Sequence, residues 1–281
     1  MLEIWVLVTA LVSLILVYPS YMNWKSPKNS PTEFLRSGNI RSLQKVVVLL
    51  GDSITKGRIS ADYVQLLSKD LEENRFNLIN AGVNGDLAWH VLQRLDEVIQ
   101  CNPDIVTILI GTNDANSTRM GMHRSPATAF RKLPRIPDID WFEANLKEIV
   151  HRLAESTKAR IALLSIPPLG EDLDSYAVAL SSQFSETIRE IALQTNTAYL
   201  PLHEKMLKFI RNNPSRPKKP IETSFWWIFA SLYWHYLFRG SWNSISAQRG
   251  FRLLNDHIHL NDDAAMMVAD MIRDFILEEP T

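Results

Sequence analysis

Short apolar runs alternating with longer amphipathic ones constrain this chain more than any other feature. Lys45–Leu50 runs through apolar residues to Gly51, the pattern of a strand buried on both faces. Asn77–Val83, Asp104–Ile110, Arg160–Ile166 and Thr197–Leu200 repeat it, the fourth run being stopped by Pro167 and Pro168. Between them lie helical stripes. Tyr63, Leu66, Leu67 and Leu71 fall in step within Ala61–Leu71, and Leu87, Val91, Leu95 and Val98 within Leu87–Ile99. Trp141–Leu153, Tyr176–Gln194 and Asp262–Leu277 add three more predicted helices. Such alternation predicts an α/β fold, a five-stranded parallel sheet with helices on both faces. Functional groups in these sheets gather at the carboxyl ends of the strands.

Polar clusters stand at those ends. The first run leads into Gly51-Asp52-Ser53-Ile54-Thr55, the second contains and continues past Asn80 to Asn84-Gly85-Asp86, and the third leads into Gly111-Thr112-Asn113-Asp114. A fourth cluster, Asn255-Asp256-His257-Ile258-His259-Leu260-Asn261, precedes the last helix. This ordered set resembles the SGNH (GDSL-type) hydrolase family, over a span from about Lys45 to the C-terminus outside an aromatic insertion. The resemblance implies the flavodoxin-like three-layer α/β/α fold of these esterases and lipases. It makes Ser53 the nucleophile, His259 the general base and Asp256 the carboxylate that orients the base. It also implies an oxyanion hole from the Ser53 and Gly85 backbone N–H groups and the Asn113 side-chain amide. An ester substrate, an acyl-enzyme, and neither metal nor organic cofactor complete the expectation.

Each residue alone has an ordinary structural reading. Ser53 would serve as a helix N-cap, Gly85 and Asn113 as turn residues, and His259 as a hydrogen-bonded loop histidine. Their joint occurrence favours the catalytic reading. His257-x-His259 with Asp256, Asp262 and Asp263 is a weaker metal-ligand pattern, with no second histidine block to complete it. Thr55-Lys56 lacks the order of a phosphate loop, and the sequence contains no G-x-S-x-G elbow. Asp52, Asp86 and Asp114 receive no catalytic assignment.

Composition narrows the partners. Thirty Lys+Arg against 31 Asp+Glu give a net charge of -1, so no global basic field recruits nucleic acid. The single cysteine, Cys101, forms no internal disulfide. Residues 1–24 carry only Glu3 as a charge before the basic residues that follow, and Met1–Met22 as a helix would reach roughly 33 Å. An N-terminal transmembrane helix over 1–24 is therefore expected, then a linker over 25–44 and the hydrolase domain over 45–281. Lys25, Lys28, Arg36, Arg41 and Lys45 follow the apolar run, which predicts a single-pass membrane location with the domain on the cytoplasmic side.

Residues 211–245 form the basic and aromatic insertion. Arg211–Pro220 holds four basic residues and three prolines, and Phe225–Phe238 is dense in Phe, Trp and Tyr. That second stretch reads either as a lipid-surface contact or as a helix packed on the domain. Anchor and insertion together predict a lipid-like acyl ester such as a lysophospholipid. The alternatives are a carbohydrate O-acetyl ester and a catalytically silent membrane-attached binding module.

Overall fold

β1 (Lys45–Gly51) sends Val46, Val48 and Leu50 into one core and Val47 and Leu49 into another, the two-residue repeat of a strand between two layers. This computed structural model describes residue 5 and residues 17–38, 44–71, 75–120 and 133–278. β1 pairs in parallel with β2 (Phe76–Gly82) on one side and β3 (Ile105–Leu109) on the other. β4 (Arg160–Leu164) and β5 (Ala198–Leu200) continue the sheet in the order β2-β1-β3-β4-β5. The five-stranded parallel sheet expected from the alternation is present.

In chain order the first helices are α1 (Pro31–Ser37), α2 (Ser53–Lys56), α3 (Tyr63–Asp70), α4 (Ala88–Gln93), α5 (Leu95–Gln100) and α6 (Thr112–Arg119). Then come α7 (Ile139–Ser156), α8 (Tyr176–Thr195), α9 (Leu202–Asn212), α10 (Ser224–Phe238), α11 (Trp242–Arg249) and α12 (Asp262–Leu277). Helices α1, α4, α5, α7 and α8 cover the Val48 face, with Phe142 and Phe184 fully buried at its centre. On the Val47 face lie α3, α9, α11 and α12. The result is a three-layer α/β/α sandwich.

Chain order reverses direction across β1, because β2 lies on one side of it and β3 on the other. Gly51 pairs with Gly82 and with Leu109, so the three strand ends finish level and open onto one crevice. The approach at this edge is close. A Cβ at Gly82 would stand 2.2 Å from the Lys56 backbone nitrogen, so only glycine lets α2 rest on the end of β2.

Two local departures from the sequence pattern have identifiable causes. The predicted Leu87–Ile99 helix breaks at Arg94 into α4 and α5. Arg94 turns back to the sheet edge, donating from Nε to Asp86 (2.7 Å) and from one terminal nitrogen to the Gly51 and Ala81 carbonyls (3.0 and 2.9 Å). Within 25–44, Ser30 caps α1 through the Glu33 N–H, and α1 buries Phe34 against the sheet.

The transmembrane anchor does not stand. Among the described residues, no helix is long and apolar enough to cross a membrane. Residues 1–4 and 6–16 of the expected span lie outside the described residues. Residues 17–24 are helical, but their carboxyl end is docked on the α/β domain. Lys56 Nζ donates to the Asn23 carbonyl (3.0 Å), Asn84 Nδ2 donates to Asn23 Oδ1 (2.7 Å), and Tyr18 packs edge-on against Tyr236. The single-pass membrane location and cytoplasmic side drawn from that anchor fall with it. Helix α10 gives no replacement, since its 15 residues rise only about 22 Å.

Candidate active site

Ser53 stands where β1 ends and α2 begins. Asp52 holds that turn, its side chain accepting from the Ile54 N–H at 2.9 Å. Asn80 ties the turn to β2, donating from Nδ2 to the Thr55 carbonyl (2.9 Å) while Oδ1 accepts from the Gly82 N–H (3.0 Å). Since α2 is a single turn, it offers Ser53 local backbone N–H groups rather than a long helix dipole.

Ser53 Oγ lies 2.9 Å from His259 Nε2, although 206 positions separate them. Behind the imidazole, Nδ1 lies 2.9 and 3.0 Å from the two Asp256 carboxylate oxygens. A carboxylate there keeps the proton on Nδ1 and leaves Nε2 as an acceptor for the serine hydroxyl. Asp256 Oδ1 also accepts from the backbone N–H groups of Ile258 (3.1 Å) and His259 (2.9 Å), so carboxylate and imidazole are locked in one four-residue loop. All three side chains are buried.

The loop is held from outside by a residue that sequence reasoning did not select. Glu171 is buried, and its carboxylate accepts from the N–H groups of Arg252 (2.8 Å), Leu253 (2.7 Å) and Leu254 (2.8 Å). Burial pushes its pKa up, while those three donors pull it down. Downstream, Asn255 N–H donates to the His259 carbonyl (2.8 Å) and Leu260 N–H to Ser60 Oγ (3.0 Å). These contacts close the hairpin that carries Asp256 and His259.

Gly85 and Asn113 approach from β2 and β3. Gly85 has φ +72°, a left-handed conformation that glycine takes without a Cβ penalty. Asn113 Nδ2 donates to the Asp86 carbonyl (3.0 Å) and to Asp52 Oδ2 (3.2 Å). To bind an oxyanion, the amide would exchange one of these for the substrate oxygen, the longer being the bond to Asp52.

Three buried carboxyl groups support this edge. Asp86 pairs with Arg94, and Asp114 accepts from the Ala88 N–H at the start of α4. Burial raises Asp52 to about 7, with the Ile54 N–H and His259 opposing it and Asp86 adding to it. Burial likewise raises Asp114 to about 8 against the Ala88 N–H.

His257 and His259 serve different partners. His257, with φ +77°, bonds through Nε2 to the Lys219 carbonyl (2.8 Å), and burial pushes its pKa down. Asp262 and Asp263 accept instead from Asn243 (3.0 and 2.9 Å). Among the described residues, no group of three or more His, Cys, Asp or Glu is arranged to hold a metal ion. Beside the loop lies a cavity of about 760 Å³ whose wall includes His257 but neither Ser53 nor His259.

The sequence profile of the GDSL-like lipase/acylhydrolase family matches residues 49–220, a span that holds Ser53, Gly85 and Asn113 and ends before Asp256. No curated protein matches the chain by sequence. Solved structures with a similar fold include the acetyl xylan esterase AlAXEase, at 22% identity and TM-score 0.60, covering 83% of this chain and 100% of that one. Another is Axe2, an acetylxylan esterase from Geobacillus stearothermophilus, at 18% identity and TM-score 0.58, covering 85% and 98%. LAE5, an alpha/beta hydrolase from the metagenome of Lake Arreo, Spain, matches at 18% identity and TM-score 0.58, covering 85% and 99%. At these identities the likeness establishes a shared fold.

Proposed function

This chain belongs to the GDSL-like lipase/acylhydrolase family, and on that premise we propose that it removes a short acyl group, of the acetyl class, from a hydroxyl-rich, carbohydrate-like alcohol. It is a serine ester hydrolase. The observation that carries the site assignment is the unbroken hydrogen-bonded line from Ser53 Oγ through His259 to Asp256.

In the proposed reaction His259 Nε2 takes the Ser53 hydroxyl proton as Oγ bonds to the carbonyl carbon. Asp256 stabilises the imidazolium and keeps its own charge. The carbonyl oxygen becomes an oxyanion facing the Ser53 N–H, the Gly85 N–H and the Asn113 amide. Collapse breaks the bond to the alcohol, which leaves with the proton from Nε2. Water then attacks the acyl-serine, His259 accepts its proton, and the carboxylic acid departs as Ser53 regains its hydroxyl.

The short-acyl reading draws its support from the structural relatives, two of them acetyl xylan esterases by name. A second reading, a longer lipid-like acyl ester, is favoured by one surface. Trp226, Phe229, Trp234 and Phe238 are exposed on α10 and present apolar surface suited to an apolar substrate. A series of p-nitrophenyl esters from acetate to decanoate separates the two. Turnover that falls with chain length supports the deacetylase reading, and turnover that rises supports the lipid-like one.

A further inference from the structure

We propose that the cavity between the catalytic loop and the 211–222 segment seats the alcohol side of the ester and selects an alcohol bearing an anionic group, a carboxylate or a phosphate. The proposal rests on the serine-esterase reading and goes beyond it by naming what the alcohol must carry.

Position is the first argument. The cavity wall contains Leu169 and Gly170, which follow β4, and Arg119, which ends the helix whose second residue is Asn113. It therefore lies on the crevice side of the sheet, where ligands of such folds bind. Its walls are tied to the chain that leads into and carries His259. The Lys219 carbonyl meets His257 Nε2 at 2.8 Å, the Gly170 N–H donates to the His257 carbonyl at 2.8 Å, and the Arg216 N–H donates to the Gly250 carbonyl at 2.9 Å. A pocket of about 760 Å³ falls within the size range for a small-molecule ligand and far exceeds an acetyl group.

Charge is the second argument. Of the acidic groups on the wall, Glu222 pairs with Arg119 at 3.2 Å, and the Glu171 carboxylate is turned onto three backbone N–H groups. Asp172 is the remaining carboxylate of the lining, against Arg211, Arg216 and Lys219. No ion pair of these three cations occurs among the described residues. An apolar acyl chain laid along this wall would strip water from charged groups without replacing their hydrogen bonds. An anionic alcohol would supply such bonds, and a carboxylate or phosphate matches the arginine fork.

The test compares three acetyl esters on the whole chain: an acetylated galacturonate oligosaccharide, an acetylated neutral xylo-oligosaccharide, and 1-acetylglycerol 3-phosphate. The expected result is a lower KM for the anionic esters, by about tenfold, with the advantage shrinking as salt is raised. The double variant Arg216→Ala, Lys219→Ala is expected to lose most of that selectivity ratio, and Arg216→Glu, Lys219→Glu to reverse it. Preference for galacturonate over phosphate, or the opposite, identifies the source of the anion. Binding of unacetylated digalacturonate and of glycerol 3-phosphate, followed by titration calorimetry, gives a reading independent of turnover. Equal KM values for neutral and anionic esters, or anion binding unchanged in the charge-reversed variant, would overturn the proposal. Failure of wild type to hydrolyse any ester while still binding the anion would instead sink the esterase site assignment.

Discussion

Replacing Glu171 with glutamine is expected to loosen the arm that leads into the catalytic loop while leaving the site's own side chains intact. Oε1 of Glu171 serves the Leu253 and Leu254 N–H groups at 2.7 and 2.8 Å, and Oε2 serves Arg252 at 2.8 Å. A glutamine keeps one carbonyl oxygen for the first pair and turns an NH2 toward the third donor. One backbone N–H loses its acceptor, a cost of about 1–2 kcal/mol at this partly buried position. For a domain of this size that corresponds to a fall of roughly 2–8 °C in Tm. Removing the whole side chain in Glu171→Ala strands three donors and is expected to cost roughly 3–6 kcal/mol. Because the loop bears both Asp256 and His259, kcat on p-nitrophenyl acetate should fall by about tenfold in Glu171→Gln with KM little changed. Differential scanning calorimetry and steady-state kinetics read the two effects. A glutamine variant with wild-type Tm and kcat would refute the reasoning, since it would mean that a neutral side chain with one acceptor oxygen holds the loop equally well.

Two further outcomes follow from the oxyanion edge. Asn113→Ala should reduce kcat by about 10²–10³ with a small change in KM, because in the proposed mechanism its amide acts on charge that develops in the transition state; a KM effect alone would contradict that role. Asp114 bears on pH-dependent stability. Its folded pKa, raised from 3.8 to about 8, exceeds the unfolded value, so between these limits the unfolded chain has lost a proton that the folded one keeps. This group's contribution therefore weakens as pH rises from about 4 to 8. Asp114→Asn should remove that slope, so urea midpoints of variant and wild type should diverge in the variant's favour from pH 5 to pH 8, and parallel curves would count against it.

The parts of this molecule legible in its sequence are those written in local pattern. The sheet could be read from uninterrupted apolar runs such as Lys45–Leu50, and the level strand ends place Ser53, Gly85 and Asn113 along one crevice. The Asp256–His259 pair is also local, three residues apart in one loop. Apart from the Ser53–His259 pairing that the family resemblance implied, long-range contacts were not legible. Glu171 reaches donors 81 to 83 positions away, with no spacing rule to mark it among 31 acidic residues. The break at Arg94 depends on carbonyls of two strands that sequence alone does not bring together. Asp86 acquires its meaning through Arg94, and Asp52, beside its local cap of the Ile54 N–H, gains a distant partner in Asn113. The anchor expectation failed for a related reason. Hydropathy weighs residues 1–24 as one segment, whereas Asn23 is held by Lys56 and Asn84 of the domain.

The central claim is that Ser53 carries the acyl group through the reaction. Rapid mixing of enzyme with p-nitrophenyl acetate, followed by acid quench and peptide mass analysis, tests it most directly. One acetyl group on the peptide containing Ser53, and its absence together with turnover in a folded Ser53→Ala variant, is the predicted result. Undiminished turnover in that variant, or acetyl bound to a different residue, would contradict it.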